Sequence, residues 1–250
     1  MVELQAMWVA KDLRAQEPAQ LQLLSAHKHV ANFAVEGQTQ LLMIGDPSVY
    51  PGPCSVGLSY EGYRDLSGTL ESTRTGQVEE GKIRLQSAAG EQSIVLGDFA
   101  LDFSVPTDLA WEPHILRKSI KAASDLLVEK SSSLSNLLLT NDRQNRENDL
   151  TGSLHERFSL AAFREHVPVL IGSIVSGDES AFMGALSRLV GLGPGSTPSG
   201  DDLIHGALVA YQYAKAAQGK AQEVPVIPGE LIRQTTLLGR HMLTIGQQGL

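Results

Sequence analysis

The sequence predicts an α+β protein, in which a β-rich N-terminal half (a small antiparallel sheet or barrel) is followed by an α-helical C-terminal half. Short apolar or alternating segments recur through the first ~110 residues, with turn-forming glycines and prolines between them. After Pro113 the hydrophobic spacing becomes that of a helix, and from Leu154 it is helical almost throughout. We therefore expect two domains, residues 1–112 and residues 113–250.

The strands predicted in the N-terminal half are short. In order they are Gln40–Ile44, Cys54–Tyr60, Gly68–Leu70, Lys82–Gln86 and Ser93–Phe103. Lys82–Leu85 and Ala100–Phe103 alternate apolar and polar residues, so one face of the sheet is expected to contact water. Leu21–Val35 fits either a short helix or a first strand, and both assignments stay open.

The C-terminal half begins with a predicted amphipathic helix. Its apolar positions recur at helical spacing, at Leu116, Ile120, Ala123 and Leu127. Residues 141–149 contain no apolar side chain and predict an exposed loop, with a lid over a ligand as the alternative.

Later helix boundaries are predicted from cap residues. Ser176 and Glu179 have the spacing of a capping box, and Gly191 supplies a C-terminal stop. The helix between them has an apolar face made of Phe182, Leu186 and Leu189. A helix is then predicted over residues 198–217. A Pro/Gly connector follows over 219–230, and a last amphipathic segment over 231–245.

Composition and charge exclude several functional classes. A net charge of −8 argues against non-specific binding to nucleic acid. The sequence has no uncharged apolar run of the length that spans a bilayer, and no secretory signal at its N-terminus. Cys54, the single cysteine, allows no internal disulfide and is expected to be buried. We expect a soluble, cytoplasmic protein with neither nucleic-acid nor membrane partners.

The most informative segment is Gly191–Asp202, in which six of the first ten residues are glycine or proline. Thr197 is a good N-cap and Pro198 suits the first helical position, which predicts helix, glycine-rich loop, helix. Glycines let the backbone approach a ligand, and free N–H groups at a helix start attract anions. We predict a carboxylate or phosphate site formed by Gly193, Gly195, Ser196, Thr197, Ser199 and Gly200.

Asp201 and Asp202 make this hypothesis more specific, and we predict them as the catalytic residues. Gly195 to Gly200 has P-loop spacing, but the two aspartates replace its Lys-Ser/Thr pair, so NTPase activity is not expected. An anion is compatible with them if a divalent metal such as Mg²⁺ bridges the two, or if the ligand has an amide or amine end. Stabilisation of the helix dipole is the structural alternative for either aspartate.

Two further side chains are candidates near this segment. His205 follows Asp201 by four residues and shares its helix face, which fits a metal ligand, a base or a packed histidine. Arg233 is predicted to neutralise a bound anion if its helix packs beside the loop, with a surface position as the alternative.

Gly191–Asp202 resembles the Gly-x-Gly-Pro-Gly-x-Thr-Pro-Ser-Gly-Asp-Asp signature of the AllH family. Weaker similarities lie at Gly52–Val56, at Asp98–Trp111 and at the pair Thr235-Thr236. The sequence departs from the family at His205, where a small or apolar residue is expected, and at Gly239, where serine is common. The family usually continues with further helices after the position of Leu250, so the resemblance implies that part of its domain is missing here.

The resemblance implies a subunit of oxamate carbamoyltransferase, an enzyme complex of allantoin (purine) catabolism. That reaction moves a carbamoyl group between oxalurate and phosphate, giving oxamate and carbamoyl phosphate. It implies partner subunits, a small carboxylate or phosphate ligand, and a place for Thr235 and Thr236 in the ligand site. Two other functions stay open, namely a non-catalytic scaffold or binding subunit and a metal-dependent hydrolase or carboxylase.

Overall fold

The computed structural model describes residues 2–106 except 15, 16, 39, 71, 74 and 89, positions 112, 114, 115, 117–119, 121, 122 and 125, and residues 154–250 except 221 and 222. The chain divides into two compact units, Met1–Ser104 with Leu250, and Val105–Gly249. The first is built on a sheet and the second on helices, which confirms the predicted α+β class. The predicted apolar positions Leu116, Ile120, Ala123 and Leu127, and the predicted loop 141–149, lie outside the described residues.

The described part of the first unit contains ten strands and two helices. The strands are β1 Val2–Gln5, β2 Trp8–Ala10, β3 Ala19–Ala26, β4 Val30–Val35, β5 Leu41–Gly45, β6 Ser55–Gly57, β7 Thr75–Glu79, β8 Lys82–Ser87, β9 Gly90–Val95 and β10 Ala100–Leu101. The helices are α1 Lys11–Arg14 and α2 Tyr60–Leu70.

All ten strands join one sheet, in the order β1-β9-β8-β7-β3-β4-β5-β6-β2-β10. Its middle, from β9 to β5, is antiparallel throughout. The pairs β1–β9, β5–β6 and β2–β10 are parallel. The sheet is therefore larger than the predicted antiparallel sheet and contains both parallel and antiparallel pairs. β1 adds to one side of the antiparallel middle, and β6, β2 and β10 add to the other.

Three of the predicted segments contain the strands that the structure has there. Gln40–Ile44 and Lys82–Gln86 correspond to β5 and β8, and Leu21–Val35 contains β3 and β4 rather than a helix. β4 buries every second residue, at Ala31, Phe33 and Val35. The two longer segments contain less strand than predicted, since Cys54–Tyr60 holds only β6, and Ser93–Phe103 is interrupted between β9 and β10.

The predicted strand Gly68–Leu70 is wrong, because these residues are the last turn of α2. The buried residues of α2 are Tyr63, Leu66 and Leu70, which recur at helical spacing. They belong to the same apolar core as Phe33, Ile44 and Val56 of the sheet. Three residues are too few to show a helical or a strand-like hydrophobic spacing. Gly68–Leu70 is helical because α2 packs its apolar face on the sheet.

Residues 154–250, apart from 221 and 222, contain five helices, which are α3 Leu154–Ser176, α4 Glu179–Leu189, α5 Ser199–Ala217, α6 Gly229–Ile232 and α7 Leu237–Gln248. The described positions 114, 115, 117–119, 121, 122 and 125 are also helical. Phe182, Leu186 and Leu189 are fully buried, which confirms the predicted apolar face of α4. They share one core with Phe163, Leu170, Ile204, Leu208 and Leu243. The predicted last amphipathic segment is divided between α6 and α7. None of the described helices is both long enough and apolar enough to cross a membrane.

Two predicted helix starts need correction. α3 continues to Ser176, and Gly177 ends it with a φ of +75°. Asp178 therefore takes the N-cap of α4, where its carboxylate accepts from the N–H of Ala181 at 3.0 Å, and no capping box forms from Ser176. At α5 the N-cap is Pro198 rather than Thr197, and no side chain caps this helix.

Candidate functional site

The glycine-rich segment joins α4 to α5, so the predicted order of helix, loop and helix is confirmed. Gly191 follows the C-cap of α4 with a φ of +71°, which confirms the predicted stop. Gly193 has a φ of +113°, and a Cβ there would lie 2.9 Å from the backbone nitrogen of Ser199. Gly195 also has a positive φ, of +100°, but open space surrounds it. The loop thus folds back on the start of α5 at Gly193 and is exposed at Gly195.

The first N–H groups of α5 have partners within the chain. The N–H of Gly200 donates to the carbonyl of Leu192 at 2.8 Å, while those of Asp201 and Asp202 donate to the carbonyl of Pro198 at 2.9 and 3.2 Å. These three N–H groups are therefore not free to bind an anion. Of the predicted hydroxyl donors, Ser196 is exposed, whereas Thr197 and Ser199, the first residue of α5, are half-buried.

Asp201 is fully buried and hydrogen-bonded through both carboxylate oxygens. Its Oδ1 accepts from the N–H of Gly191 at 2.8 Å, and its Oδ2 accepts from the hydroxyl of Thr235. Burial raises the pKa of Asp201, although these two hydrogen bonds act in the opposite direction. One carboxylate therefore ties the end of α4, the start of α5 and the segment before α7 together.

Two glycines make room for this arrangement. A Cβ on Gly200 would overlap the carbonyl oxygen of Leu189, and a Cβ on Gly239 would overlap Oδ2 of Asp201 and Oγ1 of Thr235. Glycine at position 239 therefore leaves space for the hydrogen bond between these two side chains. Packing alone accounts for Gly200 and Gly239.

Thr236, the other threonine of the predicted pair, contacts the exposed side of the loop. It is the N-cap of α7, where its Oγ1 accepts from the N–H of Gly239 at 3.0 Å. The same hydroxyl donates to the carbonyl of Ser196 at 2.5 Å. Both threonines thus lie beside the glycine-rich segment, Thr235 through Asp201 and Thr236 through Ser196.

The two arginines of this region differ in position. Arg233 is exposed at the end of α6, and the described structure gives no contact between its guanidinium and the loop. Arg240, which the sequence did not single out, donates to the carbonyls of Thr235 at 3.1 Å and Arg233 at 2.8 Å. It holds the turn that presents Thr235 and Thr236. No sequence signal identifies Arg240, because the contact depends on the turn between α6 and α7.

Asp202 and His205 lie one helical turn apart near the start of α5. Asp202 is exposed, and its pKa is raised by partial burial and by the charge of Asp201, against the opposing effect of His205. His205 is half-buried, and its Nδ1 lies 3.0 Å from the carbonyl of Met242. Since a carbonyl only accepts, Nδ1 carries the proton and Nε2 is left as an acceptor. Burial lowers the pKa of His205, so the ring is neutral at pH 7.

A metal site is not evident in the described part of the chain, where no group of three or more His, Cys, Asp and Glu side chains is placed to hold an ion. Both oxygens of Asp201 have protein partners, while Asp202 faces outward next to His205. Of the two aspartates, Asp202 is therefore the one whose carboxylate oxygens have no hydrogen-bond partner among the described residues.

Residues 189–250 match a family model described as oxamate carbamoyltransferase subunit AllH. The match begins at the last residue of α4 and includes the glycine-rich segment, α5, α6 and α7. The resemblance drawn from Gly191–Asp202 is thus confirmed over these residues. Neither a curated protein nor a solved structure matches the chain.

Proposed function

We propose that this chain is a subunit of a carbamoyltransferase complex of the oxamate carbamoyltransferase type. The observation that carries the proposal is the family match over residues 189–250, because it coincides with the segment that forms the loop and its supports. The activity belongs to a complex, so other subunits are part of the proposal.

The ligand binds, in this proposal, on the exposed side of the glycine-rich loop. Ser196, Thr197 and Ser199 supply hydroxyl donors for a carboxylate or phosphate, and Gly195 leaves the backbone accessible. Asp202 accepts from an amide N–H of the same ligand, which reconciles an anion-binding loop with an adjacent carboxylate. An oxamate or oxalurate molecule has both of these ends.

Asp201 acts in this proposal as a positioning residue rather than as a catalytic one. Its two oxygens are engaged by Gly191 and Thr235, and its side chain is fully buried. It therefore fixes the start of α5, and with it the direction in which Asp202 points. Contact with the ligand is assigned to Asp202.

The transfer step balances without a cofactor. A phosphate oxygen attacks the carbamoyl carbon of oxalurate, the bond from that carbon to the oxamate nitrogen breaks, and the nitrogen takes up a proton. Neutral His205, with Nε2 as an acceptor, is suited to take the proton from phosphate and return it to the leaving nitrogen. Hydroxyl and backbone donors of the loop stabilise the oxyanion that forms during the attack.

The proposal is tested with Asp202→Asn in the assembled complex, by measuring carbamoyl transfer from oxalurate to phosphate. Loss of a charged acceptor for the substrate amide predicts a fall in kcat/KM of about 10- to 100-fold, from the ~1.5–3 kcal/mol of a charge-assisted hydrogen bond. Glu179→Gln is the matched control, because Glu179 is also an exposed acid in the first turn of a helix of this unit.

A non-catalytic scaffold subunit is the second candidate, and a specific observation favours it. Gly200, Asp201 and Gly239 are all accounted for by packing and internal hydrogen bonds. This candidate expects Asp202→Asn to behave like Glu179→Gln, with wild-type activity in both. That outcome would remove the assignment of the ligand to Asp202.

A further inference from the structure

A cleft of 510 Å³ lies between α3 and α4. The polar side chains that line it are Ser159, Glu165 and His166 of α3 and Arg188 of α4, and Leu192 of the glycine-rich segment closes one side. Pockets that bind small molecules usually measure about 300–1,000 Å³. The cleft is therefore large enough for a small organic ligand.

Ser159 supplies a buried hydroxyl without a partner. The residue is only 6% exposed, and its Oγ has no hydrogen-bond partner among the described residues. The contrast with other helical serines of this unit is direct, since Ser173 and Ser187 donate to the carbonyls of Leu170 and Gly184, each at 2.8 Å. A buried hydroxyl left unpaired is unfavourable, and because Ser159 lines the cleft, rotation of its side chain about χ1 would bring the hydroxyl to a ligand oxygen there.

Arg188 supplies a positive charge at this cleft, and Glu165, which also lines it, supplies a negative one. Arg188 is exposed at the cleft and makes no ion pair with any residue in the described ranges. Its planar guanidinium binds a carboxylate through two parallel hydrogen bonds. His166, whose side chain is 21% exposed, adds a ring donor or acceptor, and its Nε2 lies 3.9 Å from Oε1 of Glu165 at the rim.

We propose that this cleft is a binding site for a small organic carboxylate, which Arg188 and Ser159 hold by its oxygens. The apolar part of the lining, Ala161, Ala162 and Leu192, favours a carboxylate with a carbon skeleton over inorganic phosphate. The proposal does not rest on the carbamoyl transfer proposed above, because the two side chains that would hold the carboxylate, Ser159 and Arg188, lie on α3 and α4.

The cleft also contacts the loop through one residue. Leu192 lines the cleft with its side chain, and its carbonyl accepts the N–H of Gly200 at the start of α5. A carboxylate in the cleft therefore lies against the residue that anchors the glycine-rich segment.

The test is calorimetric titration of the full chain with oxamate, pyruvate and inorganic phosphate in turn. We expect both carboxylates to bind and phosphate not to compete with them. Arg188→Gln should weaken carboxylate binding by about tenfold or more, and Ser159→Ala by about fivefold. Ser159→Ala should also raise the melting temperature of the ligand-free protein, since it removes an unpaired buried hydroxyl, and this checks that the variant folds.

Ser187→Ala is the matched control, because it removes a helical hydroxyl that already has a partner. It should leave carboxylate binding unchanged. Absence of carboxylate binding to the wild-type chain, equal affinity in Arg188→Gln, or displacement of the carboxylate by phosphate would each overturn the proposal. Asp202→Asn, which changes the loop site and not the cleft, should leave carboxylate binding to the cleft unchanged. A loss of affinity that appears in Arg188→Gln but not in Asp202→Asn therefore belongs to the cleft, which keeps failure here distinct from failure of the transferase proposal.

Discussion

Asp201→Ala tests the role of the buried carboxylate directly. The substitution removes the acceptor of two hydrogen bonds, one from the N–H of Gly191 at 2.8 Å and one from the hydroxyl of Thr235. Thr235 is buried and Gly191 is half-buried, and both donate to a side chain that is fully buried. They would be left without a partner in the variant.

The size of the effect follows from these two donors. Each buried donor left unpaired costs about 1–3 kcal/mol, so the pair sets a range of about 2–6 kcal/mol. Removing a carboxylate whose pKa burial has raised returns part of this loss, because the charged form is disfavoured there. We expect the free energy of unfolding to fall by ~2–4 kcal/mol, a large part of the ~5–15 kcal/mol of a typical domain.

Asp201→Asn separates hydrogen bonding from charge. The amide oxygen accepts from Gly191, and the amide nitrogen donates to the hydroxyl of Thr235, whose proton can turn away. We therefore expect a much smaller loss than in Asp201→Ala. Asp202→Ala is the control at the neighbouring exposed position, where surface substitutions usually change stability by less than ~0.5 kcal/mol.

The pH dependence of the Asn variant has a definite sign. Since the pKa of Asp201 is raised in the folded chain, the folded state holds its proton at pH values where the unfolded state has lost it. The contribution of Asp201 to stability is thus complete below 3.8, the ordinary pKa of an aspartate, and is lost as the pH rises through the raised pKa of the folded state. Asp201→Asn should remove this decrease, so the variant gains stability relative to the wild type as the pH rises above 3.8.

Urea unfolding measured by circular dichroism at several pH values gives both quantities. A loss below ~1 kcal/mol for Asp201→Ala would refute the reasoning, since it would mean that the two donors find other partners. A wild-type and an Asn variant with parallel pH profiles would refute the assignment of the raised pKa.

Two further predictions concern contacts that the sequence alone does not reveal. Gly239→Ala should destabilise the second unit by ~1–3 kcal/mol in thermal unfolding, because its Cβ overlaps the Asp201–Thr235 contact. Gly206→Ala, exposed in α5 with open space around it, should be neutral or slightly stabilising, and equal losses in both variants would contradict this. The thiol of Cys54 should react slowly with a disulfide reagent at pH 8 in the folded protein, because burial and the Asp12 carboxylate, 2.9 Å from its Sγ, raise its pKa. Asp12→Asn should speed the reaction, and a wild-type rate equal to that of the unfolded chain would contradict the prediction.

The division into a β-rich and an α-helical half was predictable because hydrophobic spacing persists over many residues. Strands such as β4 and β8 bury alternate side chains, and α4 buries residues at helical spacing. Gly68–Leu70 was misassigned because three residues cannot show a period. Parallel pairing at both sides of the sheet was not predictable, since it depends on contacts between distant segments.

Helix starts were less predictable, because several neighbouring residues can serve as a cap. Ser176 has the right chemistry, but Gly177 ends the preceding helix and leaves the N-cap to Asp178. Similarly, Thr197 is a better cap than proline by side-chain chemistry, yet α5 begins after Pro198. Side-chain chemistry indicates which residues can be an N-cap, but the geometry of the preceding turn determines which of them is the N-cap.

The candidate site was predictable as a segment but not as an arrangement. Gly191–Asp202 stood out by composition, whereas the position of Thr235 and Thr236 beside it rested on the family resemblance alone. The two predicted aspartates were equivalent in the sequence. In the structure they differ completely, because consecutive residues of a helix point about 100° apart.

This difference determines how substitutions in the matched segment should be interpreted. Asp201 faces inward with both oxygens engaged, and Asp202 faces outward beside His205. Loss of transfer in an Asp201 variant is therefore ambiguous, since the start of α5 would move and carry Asp202 with it. Only a variant that keeps the inner hydrogen bonds and changes the outer side chain distinguishes a ligand site from a packing motif. Asp202→Asn meets that condition, so its activity relative to Glu179→Gln decides between the transferase and the scaffold.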